Sequence, residues 1–133
     1  MKPQLRSKAR RYALQALYQW HMSGQLPTEI LAQFQANIEN DVIDNDYFLF
    51  LFQGVTSHVD EIDQQIKPHL DRELHELTPV ELTVLRLAAF ELNYSMDVPR
   101  SVVINEALEL TKTFGSTDEG FKYVNAVLDK IKC

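Results

Sequence analysis

The stretch "LTPVELTVLRLAAFEL", residues 77 to 92, constrains the fold more than any other part of the chain. Thr78 stands where a helix N-cap belongs and Pro79 fits the first helical position. Glu81, three residues after the cap, can reach back to the cap's backbone N–H, which completes a capping box. Leu77 and Leu82 occupy the two positions of a hydrophobic staple. The helix that follows, to about Asn93, is apolar nearly all round: Val84, Leu85, Leu87, Ala88, Ala89, Phe90 and Leu92. A helix with no polar face has to be covered on every side, so it belongs in the middle of a domain.

The rest of the chain supplies partners of the same kind. Ala9, Ala13, Ala16, Leu17 and Trp20 recur at helical spacing and predict a first helix, ended by Gly24 and Pro27. Thr28 is positioned to cap a second helix with Ile30, Leu31, Phe34 and Ile38 inward. Asp44 or Asp46 opens a third, whose stripe runs through Tyr47, Phe48, Leu51, Val55, Val59 and Ile62. Pro68 interrupts the pattern, and a short segment through Leu70 and Leu74 follows. After "DVPRS" comes a helix with Val103, Ile104, Ala107, Leu108 and Leu110, stopped at Gly115. Ser116, Thr117 or Asp118 starts the last, with Phe121, Val124, Leu128 and Ile131 inward. No alternation of period two competes with these stripes. The expected fold is an all-α bundle of six or seven helices in one domain, 1–133, divided near Pro68 into two packed halves.

Several functions are hard to build from these residues. At 133 residues and 45% hydrophobic composition the chain has the material for a real core, but no apolar run approaches the length of a membrane span. Its cationic start leads into an amphipathic segment, unlike a signal peptide. The only cysteine, Cys133, has no internal partner, and a cytoplasmic setting is expected. There is no glycine-rich phosphate loop. His58, His69 and His75 are scattered without metal-ligand spacing, "DEID" at 60 to 63 fits a solvated helix face, and "DVIDND" lacks the glycine and closing glutamate of a calcium loop. Neither catalysis, nor a metal, nor a cofactor is expected.

Binding is better supported. Lys2, Arg6, Lys8, Arg10 and Arg11 all precede the first carboxylate, Glu29. The net charge of −6 therefore conceals a first segment of +5 and a remainder of −11. Lys8 and Arg11 lie opposite the first helix's apolar stripe and Arg6 and Arg10 at its margin, which forms a cationic collar around the helix start. Cations and a helix N-terminus repel each other but both attract phosphate, so a polyanion would relieve the repulsion. On the last helix Tyr123 falls off the apolar stripe beside Lys122. An aromatic ring next to a cation is what single-stranded RNA recognition uses. Tyr18 and Met22 also point away from the core stripe and suit a protein partner. The capping box by itself accounts for Glu81.

Four segments in order, "RRYALQALYQW", "LTPVELTVLRLAAFEL", "VPRSVVINEALELTKTFG" and "KYVNAVLDK", resemble the signature segments of the NusB family of bacterial transcription antitermination proteins. The resemblance spans nearly the whole chain. It implies a helical fold of two small three-helix subdomains and a non-enzymatic role. The partners it implies are boxA RNA, the ribosomal protein NusE and an RNA polymerase antitermination complex acting on ribosomal RNA operons. It assigns Lys2, Arg6, Lys8, Arg10 and Arg11 to an RNA-facing basic surface, with Tyr123 as a ring that meets RNA and Asp118 bordering that surface; Lys122, beside Tyr123 in the sequence, is read with them as RNA-binding. Tyr18, Met22 and Glu81 fall in the region implied to meet NusE. The alternative expectation is a helical interaction module, or a homodimer when free, that binds no RNA specifically.

Overall fold

The structure is a computed structural model and describes residues 3–39, 41–115 and 117–131. Among these residues there are seven α-helices, two 3₁₀ turns and no strand. The chain divides into two compact units, 1–57 and 58–133.

The first unit holds three helices: α1 (Pro3–Ser23), α2 (Pro27–Ile38) and α3 (Asn45–Ser57). Helix α1 packs on both of the others. Its small residues Ala9, Ala13 and Ala16 are fully buried, so the neighbouring helices can approach closely, and Leu14 and Leu17 fill the space between. Ile30, Phe34 and Ile38 come in from α2, and Phe48, Leu51, Phe52 and Val55 from α3. Phe48 stacks against both Phe34 and Phe52, with ring centroids 6.3 Å apart in each pair. Gly24 ends α1 at φ 72°, a left-handed conformation that glycine adopts without penalty. Helix α2 starts from Leu26 with Pro27 in its first turn, and Thr28 lies inside the helix rather than capping it. Of the two candidates Asp44 and Asp46, it is Asp44 that opens α3, accepting a hydrogen bond from the Tyr47 N–H at 3.0 Å.

The second unit contains α4 (Val59–Ile66), α5 (Pro79–Tyr94), α6 (Arg100–Phe114) and α7 (Asp118–Lys130). The 3₁₀ turns Lys67–His69 and Leu74–Glu76 join α4 to α5. Helix α5 is the centre of this unit and packs on α4, α6 and α7. It buries residues on all sides, from Leu82 through Leu85, Leu87 and Ala88 to Phe90. Its capping box is formed: Glu81 N–H donates to Thr78 Oγ1 at 3.1 Å and Thr78 N–H donates to Glu81 Oε1 at 3.3 Å. Leu77 and Leu82 are both buried beside it. Arg86 reaches from α5 to Asp63 on α4 through two 2.9 Å hydrogen bonds. Arg100, at the start of α6, donates to the Leu128 carbonyl at 2.8 Å and so covers the last turn of α7.

The boundary between the units falls at Ser57 and His58, not near Pro68. The sequence stripe from Tyr47 to Ile62 predicts one helix, but the backbone turns at His58 (φ −122°, ψ 21°) and restarts as α4. Val55, Val59 and Ile62 keep helical phase across the break, which hides it from the pattern. Trp20, Leu31, Val59, Ile104, Leu108 and Phe121, all expected inward, are only half-buried.

Candidate functional site

The cationic start of α1 takes a different form from the collar its sequence predicts. Arg10 is 3% exposed, so its expected place at the collar's margin is corrected. Its guanidinium lies 5.5 Å from the centre of the Tyr47 ring on α3. Arg6 stacks on the same ring at 4.2 Å and pairs with the buried Asp44 at 3.7 Å. Lys8 donates to Asp41 at 3.0 Å, and the Tyr12 hydroxyl donates to the other oxygen of that carboxylate at 2.7 Å. The Tyr12 hydroxyl, and after it Lys8, hold the Asp41 carboxyl below the usual carboxylate range. The hydrogen bond to Asp41 pushes the Tyr12 phenol above its ordinary value. Arg6, Lys8 and Arg10 therefore tie α1 to the loop before α3 and to α3 itself. Arg11 is exposed, and its side chain makes no hydrogen bond or ion pair among the described residues. Lys2 lies outside the described residues. Tyr18 and Met22, further along α1, are 38% and 57% exposed, in line with their position off the core stripe.

A second group forms in the second unit around the first turn of α7. Thr117 caps that helix, its hydroxyl accepting from the Gly120 N–H at 3.1 Å. Asp118 and Lys122 are exposed. Tyr123, expected to be an exposed ring, is half-buried, and the guanidinium of Arg72 covers it at 4.3 Å from the ring centre. Its hydroxyl is buried and meets no hydrogen-bond partner at good geometry. Burial raises the Tyr123 phenol pKa, and the Asp71 carboxylate nearby raises it further. Arg72 itself holds Asp71 through Nε at 2.7 Å and Nη2 at 3.3 Å. That bond keeps the Asp71 carboxyl below its usual range.

Glu81 connects the capping box to this group. One carboxylate oxygen serves Thr78, and the other lies 2.6 Å from where a Cβ on Gly120 would sit. An open cleft of about 490 Å³ is lined by Arg72, Glu76, Glu81, Glu119, Lys122 and Tyr123 among others. The structure thus brings Glu81 together with Lys122 and Tyr123, which lie far from it in the sequence. It adds Asp71 and Arg72, which sequence reasoning missed. Their only local signal is an adjacent acid–base pair between two turns, and the partner ring is distant in the chain.

Among the described residues, no group of three or more His, Cys, Asp or Glu side chains could hold a metal ion. No described helix is long and apolar enough to cross a membrane. Among the described residues the helices, without strands, define the class of the fold: an all-helical protein.

Comparison with known proteins narrows that class. The NusB family profile matches residues 7–132. The chain is 52% identical over 129 residues to the transcription antitermination protein NusB of Alcanivorax borkumensis, covering 97% of this chain and 85% of that one. It is 50% identical over 130 residues to the NusB of Idiomarina loihiensis, covering 98% and 93%. A crystal structure of antitermination factors NusB and NusE in complex with double-stranded RNA superposes with a TM-score of 0.88 at 28% identity, covering 98% and 97%. Thermotoga maritima NusB superposes with a TM-score of 0.83 at 30% identity, covering 98% and 91%. The chain belongs to the NusB family, whose members are transcription antitermination factors and not enzymes.

Proposed function

We propose that this protein binds boxA RNA as a heterodimer with NusE. In that form it joins an RNA polymerase antitermination complex that promotes complete transcription of ribosomal RNA operons. The observation that carries this reading is the match along nearly the whole chain to a protein solved with both NusE and RNA. The charge distribution supports it, since the segment before Glu29 is purely cationic in an otherwise acidic chain.

The RNA-facing residues of this reading are Lys2 in the N-terminal segment, Arg6, Lys8 and Arg11 on α1, and Asp118, Lys122 and Tyr123 on α7. Within that set the roles divide. Arg11 is open to a phosphate. Lys8 and Arg6 are shared with Asp41 and Asp44. Arg10, buried over Tyr47, supports the helix that carries the others. Tyr18, Met22 and Glu81 form the NusE-facing set, with Glu81 acting also as the α5 cap.

Salt titration of RNA binding tests the reading. Each phosphate neutralised contributes roughly −0.7 to the slope of log affinity against log salt for a single strand. Arg11→Ala should therefore flatten the slope by about that amount and leave thermal melting unchanged. An unaltered slope and affinity would remove Arg11 from the interface. A wild-type chain that self-associates and ignores RNA would favour the homodimer instead.

A further inference from the structure

The cleft beside α7 holds a cation whose geometry suits a base better than a phosphate. The Arg72 guanidinium is fixed on two sides. Asp71 grips its edge through Nε and Nη2, and the Tyr123 ring lies against one face at 4.3 Å. The Arg72 side chain nevertheless remains 41% exposed, so the face turned away from the ring is reachable. Asp71 already occupies the Nε–Nη2 edge, one of the two edges of the guanidinium that could fork onto a phosphate. Glu76, Glu81 and Glu119 outnumber Lys122 along the same cleft and oppose a phosphate there, whereas a neutral planar base carries no charge for them to oppose. Guanidinium planes, like aromatic rings, are surfaces on which unpaired RNA bases stack.

We propose that the outer face of the Arg72 guanidinium is where a nucleobase of single-stranded RNA stacks, with the Tyr123 ring as its backing. This rests on the RNA-binding reading above and deepens it. Asp71 sets the plane of the guanidinium, and the ring supports its inner face. Lysine cannot replace arginine in this role, because an ammonium keeps the charge but has no plane to stack.

The experiment titrates a labelled single-stranded boxA RNA into the full chain and into Arg72→Lys and Arg72→Ala, each at several salt concentrations. Stacking of one base is worth roughly a five- to hundredfold change in affinity. Both Arg72 variants should lose about that much at an unchanged salt slope, with unchanged melting temperature. An Arg72→Lys chain that binds normally overturns the proposal, and so does an Arg72→Ala chain with full affinity. A loss confined to Arg72→Ala with a flattened slope identifies a charge contact and equally overturns it. A wild-type chain that binds no RNA brings down the RNA-binding reading itself, whereas the preceding outcomes leave that reading standing.

Discussion

Gly120→Ala should change stability with opposite signs depending on what occupies position 81. Gly120 lies in the first turn of α7, and alanine there lowers the entropy lost on folding by about 0.5–1 kcal/mol in a helix that can accept it. The new Cβ, however, would sit 2.6 Å from Glu81 Oε2, too close for the carboxylate to stay. Thr117 Oγ1, at 3.4 Å, is an ordinary contact and offers no objection. Glu81 would have to swing away, and its other oxygen would then leave the Thr78 N–H that it accepts from at 3.3 Å. Losing that hydrogen bond costs about 0.5–1.5 kcal/mol. In the wild-type background the two effects should roughly cancel or leave a net loss of up to about 1 kcal/mol. In an Glu81→Ala background the obstacle is gone, and Gly120→Ala should stabilise by about 0.5–1 kcal/mol. Urea unfolding of the four proteins, followed by circular dichroism, yields the coupling energy, expected near 0.5–1.5 kcal/mol. Equal effects of Gly120→Ala in both backgrounds would refute the contact.

Other consequences follow from the ties at α1 and from the α5 cap. Arg10→Ala should destabilise by about 1–2 kcal/mol, through lost packing and a lost cation–π contact, whereas the neighbouring Arg11→Ala should leave unfolding unchanged. Thr78→Ala should cost about 0.5–2 kcal/mol in the same assay. Because Asp41 is held below its usual pKa, the stability it contributes is present above the ordinary value and is lost as pH falls through the lowered one. Tyr12 is raised, so its share is present below its ordinary pKa near ~10 and is lost as pH rises through the raised one. Asp41→Ala should therefore bring one tyrosine's ultraviolet titration down toward the ordinary value; a titration curve identical to wild type would contradict the tie.

Local signals carried most of the fold, and the failures have physical causes. The capping box at Thr78 and Glu81 was legible because cap, proline and staple agree within six residues, and the all-apolar α5 implied its central position. Asp44 was legible as one of two candidate caps, but Leu26 was not, because a proline in the first turn starts α2 without a side-chain cap. The turn at His58 has no glycine or proline at the break and keeps the apolar phase, so one helix was expected where two occur. In the candidate site, Arg11 stands as exposed as its wheel position predicts. Arg10 does not, because a helical wheel gives direction and not what a neighbouring helix offers, and Tyr47 offers an aromatic face. Tyr123 likewise lies off the stripe as expected. Its covering by Arg72 depends on a tertiary contact that no spacing encodes.

The most direct test of the central claim is equilibrium binding of boxA RNA against a scrambled RNA of equal length and composition, with and without NusE, over a range of salt concentrations. The account predicts preferential binding of boxA, tighter with NusE present, with affinity falling as salt rises. Equal binding of the two RNAs, or no effect of NusE, would contradict it.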